Sequence, residues 1–259
     1  DISAHGNPIL KTPHLDRLAA NGRRFDAAYL TASSCSPSRS SIVTGRYPHN
    51  NGRASELHEP IASHLPWFPH LLREAGYHTV LSGKNHLSSA PPAPGEQSQP
   101  KAFDVIDAGK AEGNGGGHAH WVRLLRERPA DRPFFGWYAA LDAHRGWEAD
   151  AEWREEAYGP KHDPAKVRVP PFLRDDVPTR ADLASHANEV TRFDHFVGLV
   201  VADQWTFDRD QLGSDDFVSE REFNAGVREF KRGQYVRAKA LLEKSISARP
   251  GSEVNALAY

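Results

Sequence analysis

Helical periodicity and short extended runs alternate over the first two hundred residues, which restricts the chain to helices packed on a sheet. Thr12-Pro13 sets a capping residue before a proline suited to a first helical turn. Leu15, Leu18 and Ala19 then share one face, and Gly22 closes the segment. Residues 25–29 read as a strand. Residues 66–75 carry Phe68, Leu71 and Leu72 at helical spacing, stopped by Gly76. Residues 77–82 form a short β-branched run, and 134–141 are aromatic and apolar, like a strand buried on both faces. Leu183, Val190, Phe193, Val197 and Val200 place an amphipathic helix over 179–201.

A length of 259 residues allows one large domain, or a medium one with an appendage. Net charge is -2, so nothing draws the chain globally toward nucleic acid or an anionic membrane. No stretch has the length of a membrane span, and the residues from Asp1 onward do not read as a charged-then-apolar leader. With no methionine, the chain is expected to be a fragment or a processed product. Its one cysteine forbids an internal disulfide. Residues 88–100 and 159–178 read as loops rich in proline. The glycine cluster at 113–117 lacks the Lys-Ser/Thr of a phosphate loop and precedes no clear strand, so a flexible connection is expected rather than a nucleotide site.

Beyond residue 201 the character changes. Residues 202–221 are acidic and weakly periodic, like a linker. Residues 222–259 resemble one tetratricopeptide repeat, an α-helical hairpin, with Gly226, Phe230, Gly233, Tyr235, Ala238, Leu242 and Pro250 in register. Such a repeat binds protein partners. One repeat cannot bury its own apolar face, so the array is expected to continue past Tyr259.

The only cysteine lies in Ser33-Ser34-Cys35-Ser36-Pro37-Ser38-Arg39, which runs on to Thr44-Gly45-Arg46. Pro37 suits a first helical turn and Gly45 a helix end, which sets Cys35 at a helix N-terminus where free amides favour an anion. Arg39 projects to the same side one turn on. These residues alone describe an anion site with a reactive cysteine.

C-S-P-S-R-x-x-x-x-T-G-R resembles the signature of type I sulfatases, of the alkaline phosphatase-like superfamily. Gly76-Tyr77-His78-Thr79 followed by Gly83-Lys84-Asn85-His86 is similar to that family's second signature. Pro133-Phe134-Phe135 leading to Leu141-Asp142-Ala143-His144 is similar to its strand ending in a histidine, although Ala143 stands where proline is usual. The resemblance covers roughly 1–200. It implies an α/β sheet with helices on both faces, a partial catalytic domain over 1–201 truncated at both ends. Cys35 is then the precursor of formylglycine, produced by the formylglycine-generating enzyme. The hydrated aldehyde offers one hydroxyl to attack sulfur and a second to expel sulfate. By the same resemblance Lys84 grips the sulfate and the leaving-group oxygen, His86 bonds the formylglycine, and His144 contacts sulfate as a proton donor.

Asn51-Gly52, Leu57-His58, the D-A-H-R run, V-P-P-F-L and T-R-A-D-L-A resemble the sulfamidase branch, heparan N-sulfatases acting on N-sulfoglucosamine. Relatives are lysosomal, exported or periplasmic; the chain does not report its own address. The family's calcium takes two acidic pairs plus the formylglycine. Asp1 aligns just past the first pair, while Asp175-Asp176 and Asp215-Asp216 sit in polar loops. Only Cys35, as formylglycine, remains recognisable as a metal ligand, so the chain by itself is expected to be inactive. Two readings stand: a sulfate-ester or sulfamate hydrolase with an incomplete record, and a non-catalytic sulfatase remnant joined to a protein-binding repeat. A phosphodiesterase of the superfamily is disfavoured, because those relatives carry Thr or Ser at position 35.

Overall fold

The computed structural model describes residues 2–95, 98, 101–147 and 153–211. The chain divides into two compact units, Asp1–Val200 and Val201–Tyr259. The tetratricopeptide-like hairpin at 222–259 and the linker from 212 onward lie outside the described residues.

Among the described residues three strands, β1 (His78–Gly83), β2 (Val105–Asp107) and β3 (Phe134–Ala139), form a parallel sheet in the order β2-β1-β3. β1 is central and largely buried, as its run of Thr79, Val80 and Leu81 requires. His78 pairs with Phe134 and Gly83 with Ala139, so β1 and β3 end level with one another. Among the described residues six α-helices accompany them: α1 (Pro13–Asn21), α2 (Cys35–Thr44), α3 (Phe68–Glu74), α4 (Trp121–Arg126), α5 (Glu155–Tyr158) and α6 (Val177–Gln211).

Helices cover both faces. On one, Leu81 joins Val43 of α2, Ile61, Trp67 and Phe103, with Phe68 of α3, Phe135 and Trp137 packed against them. On the other, Tyr138 meets Trp121 of α4 at 5.6 Å between ring centroids, and Trp121 meets Phe193 of α6 at 6.1 Å. An α/β architecture follows directly from this layering. No described helix is long and apolar enough to cross a membrane.

Five local expectations are corrected. Residues 25–29 are not a strand: Phe25 and Tyr29 are 59% and 89% exposed, so no packing draws them into extended pairing. β3 is half-exposed along Phe134–Tyr138, because it forms the open edge of the described sheet. Thr12 caps nothing with its hydroxyl, which bonds Ser3 and Asp16 instead. The free amides of α1 at His14 and Leu15 donate to the Asp194 carboxylate on α6, at 3.2 and 2.8 Å. Burial raises the Asp194 pKa in spite of those bonds. The glycine cluster is no flexible connection either. Gly116 accepts the amides of Leu141 and Asp142 at 2.7 and 3.3 Å, and a Cβ there would collide with Asp142 and His118. Finally, α6 continues to Gln211, past residue 201 where the sequence pattern ends its helix.

Candidate active site

The site forms at the carboxyl ends of β1 and β3, where open parallel sheets gather their ligands. α2 supplies the third wall. Ser34 is extended (φ -93°, ψ 144°), its carbonyl accepts the first helical bond from Ser38, and Gly45 ends the helix in the left-handed region at φ 66°. Serines have modest helix propensity, so packing holds α2: Ser36, Ser38, Ser40 and Ser41 are buried. Ser40 donates to the carbonyls of Pro37 and Ala54, and Ser36 Oγ accepts the His58 amide at 2.6 Å. Small hydroxyl side chains thus let the turn over residues 52–58 close onto the helix, and the Cys35 end of α2 stays half-exposed.

β1 delivers Lys84 and His86. The Lys84 amide donates to the Ala139 carbonyl at 2.7 Å, extending the β1–β3 ladder by one step. Gly83 is where the strand turns, at φ 96°, with the Ala139 and Gly117 carbonyls so close that a Cβ would not fit. His86 follows in the left-handed region at φ 52°, its Nδ1 3.2 Å from Cys35 Sγ.

Arg39 does something other than face an anion freely. Its guanidinium donates to the Lys84 carbonyl at 2.8 Å and lies over Trp137, 5.6 Å from the ring centroid. It therefore ties α2 to the end of β1 and fixes the distance between Cys35 and the Lys84–His86 turn. Burial lowers the Arg39 pKa, an effect that Cys35 opposes. Burial also lowers the His86 pKa, and the charges of Lys84, His58, Arg39 and His144 push it the same way. At neutral pH His86 is thus a neutral imidazole.

His144 sits in the turn after β3, its amide bonded to the Leu141 carbonyl at 2.7 Å. It lines a pocket of about 350 Å³ shared with Lys110, Asp142, Arg145, Glu189 and Arg192. Asp142 anchors that turn. Its carboxylate takes two bonds of 2.7 Å from Arg192 of α6 and one of 2.9 Å from His118 Nε2. Asp142, Arg192 and His118 are 3%, 5% and 0% exposed at their side chains. Burial alone would raise the Asp142 pKa; the bonds and charges of His118 and Arg192 outweigh it, and the pKa falls. His118 is itself stacked on Phe196 at 3.8 Å.

Cys35 and His86 meet here, Arg39 bonds the Lys84 carbonyl, and His144 follows the end of β3, near enough for its charge to act on His86, while the pocket it lines includes none of the other four. Two further contributors were not singled out for roles. His58 meets His86 edge to face at 5.1 Å and brings a ring nitrogen to the cysteine. The Asp142–Arg192–His118 cluster holds the His144 turn, and only Asp142 carries a signal, as part of D-A-H-R.

A calcium ion takes six to eight oxygen ligands. Among the described residues, the one metal-competent cluster is Cys35, His58 and His86, which offers sulfur and nitrogen. Asp142 is committed to Arg192 and His118, Asp175 bonds Arg180, and Asp176 bonds the Thr179 amide. Asp1 and Asp215-Asp216 lie outside the described residues. The described residues do not fit calcium.

Residues 1–106 match the family model described as Sulfatase. N-sulphoglucosamine sulphohydrolase of Homo sapiens is 32% identical over 236 residues, 78% of this chain and 44% of that protein. N-acetylglucosamine-6-O-sulfatase of Bacteroides thetaiotaomicron is 30% identical over 162 residues, 56% of this chain and 28% of that protein. A solved structure in complex with its substrate D-glucosamine-2-N,6-O-disulfate is 29% identical at a TM-score of 0.46, covering 56% of this chain and 32% of that one. The chain therefore spans less than half the length of these curated relatives.

Proposed function

We propose, from the match of residues 1–106 to the Sulfatase family model, that this chain carries the nucleophile and anion-binding part of a hydrolase for sulfate esters or sulfamates. N-sulfoglucosamine of heparan-type glycans is the proposed substrate. The observation that supports it most is Cys35 Sγ at the mouth of α2, 3.2 Å from His86 Nδ1, with Lys84 on the same turn.

In this reading Cys35 is converted to formylglycine, whose hydrate supplies one hydroxyl to attack sulfur and a second to release sulfate. The half-exposed helix end suits that conversion. Lys84 and His144 hold the sulfate group by charge and hydrogen bonding, and the free amides of α2 add to the same field. His86, neutral and within bonding distance of the reacting atom, takes a proton at Nδ1 when the second hydroxyl loses it. Arg39 acts by positioning, through the Lys84 carbonyl. His144 gives a proton to the leaving oxygen or nitrogen.

The test is mass spectrometry of the Cys35 peptide after co-expression with the formylglycine-generating enzyme. The aldehyde mass is expected; a thiol left intact while a control sulfatase is converted refutes the reading.

A second reading has its own support in the commitment of Asp142 and the lack of a described oxygen cluster beside Cys35. It makes the chain a sulfate-binding, non-catalytic sulfatase relative. On that reading, residues 1–259 bearing formylglycine bind sulfate without hydrolysing an aryl sulfate or N-sulfoglucosamine in calcium. Repeated turnovers that vanish in Cys35→Ala eliminate it.

A further inference from the structure

The donors around Cys35 have a chemistry that does not depend on the hydrolase reading. Cys35 Sγ, a ring nitrogen of His58 and a ring nitrogen of His86 all lie within 4.8 Å of one another. Zinc holds thiolate sulfur at about 2.3 Å and imidazole nitrogen at about 2.0–2.1 Å, which sets a tetrahedral sulfur–nitrogen separation of about 3.6 Å. The His86–Cys35 pair at 3.2 Å lies just inside that value, and the other separations need at most about 1.5 Å of closure. Each ligand also stands on a fixed support. Cys35 opens α2, the His58 amide is bonded to Ser36 on the same turn, and His86 follows the Lys84 step locked to Ala139 and Arg39. Both histidines are exposed and the cysteine half-buried, so an ion has an open path from solvent.

We propose that the unmodified thiol form of this chain binds one zinc-class divalent cation through Cys35, His58 and His86, with water as the fourth ligand. A thiolate with two imidazoles selects borderline and soft ions over calcium or magnesium. Binding releases the thiol proton to solvent, and the thiolate lone pair forms the sulfur–metal bond. Conversion of Cys35 to an aldehyde removes the sulfur, so the site belongs to the thiol form alone.

The full chain, made without the formylglycine-generating enzyme and stripped of metal, is titrated with cobalt(II). One equivalent should bind with a thiolate charge-transfer absorption and four-coordinate d–d bands, and zinc should displace it. Cys35→Ser should remove the charge-transfer absorption. His58→Gln and His86→Gln should each weaken cobalt binding by more than about 100-fold, beyond the range that outer-shell partners cost. A measurement on the unsubstituted chain needs no variant to fold: one equivalent of zinc should slow alkylation of Cys35 by iodoacetamide roughly tenfold or more, because the attacking thiolate is committed to the metal. A sulfur-free octahedral spectrum, an affinity unchanged in either histidine variant, or an alkylation rate indifferent to zinc overturns the proposal.

Discussion

Replacing Arg192 with methionine removes both bonds that hold the Asp142 carboxylate against α6, 2.7 Å each, and leaves an acid that is 3% exposed. Methionine approximates the length of the stem but supplies no donor. His118 stays, and one bond of 2.9 Å does not replace a bidentate guanidinium. Breaking a buried pair by removing one partner costs about 3–5 kcal/mol. At about 2–4 °C per kcal/mol for a domain of this size, the melting temperature should fall by about 6–20 °C. Urea denaturation of the full chain with and without Arg192→Met measures the change. The sign of the pH dependence gives a second readout. The folded pKa of Asp142 is depressed, so its contribution is present above the unfolded carboxylate value of about 3.9 and is lost as pH falls through the folded value. Arg192→Met should shrink that acid-side loss. A destabilisation under about 1 kcal/mol with the acid limb unchanged would refute the picture of a charge held by its partner.

Lys84→Ala and His144→Ala, in a longer protein that turns over substrate, should each lower kcat by about 10²–10³ while changing stability little; normal turnover with a lowered melting temperature would make both residues structural. In the same protein Cys35→Ser should accumulate a sulfated serine, since one hydroxyl can attack but none remains to release the sulfate. Full activity of that variant contradicts the two-hydroxyl scheme. Gly116→Ala drives a methyl into Asp142 and His118 and should cost about 1–3 kcal/mol, with calorimetry as the check and an unshifted transition as the failure.

Short-range chemistry was readable in the sequence where one local segment carried the whole pattern. The C-S-P-S-R run and Gly45 define α2 almost residue for residue, and His78–Gly83 departs by a single position from its β-branched run. What escaped was settled by partners distant in sequence. Thr12 looks like a cap, yet Asp194, 179 positions beyond Leu15, takes the amides. His118 and Arg192 are unremarkable until the fold sets both on Asp142. The run at 113–117 looks like slack because composition registers backbone freedom, whereas Gly116 and Gly117 serve close approach. Spacing sets Arg39 one turn from Cys35, but its bond to a main-chain oxygen 45 residues away has no sequence signal.

The close approach of Gly83, Gly109 and Gly117 at the end of β1 makes a main-chain floor that has a consequence for how the site can evolve. At Gly83 and Gly109 a Cβ would strike neighbouring carbonyls, and all three have positive φ. That floor is main chain against main chain, so a side chain added at any of the three strains the backbone instead of reshaping the site. Adaptation to a new substrate is confined to the rim, where Lys110, Arg145 and Glu189 border the space beside His144. Libraries that vary those three positions and leave the floor untouched should recover folded variants far more often than libraries that randomise the glycines.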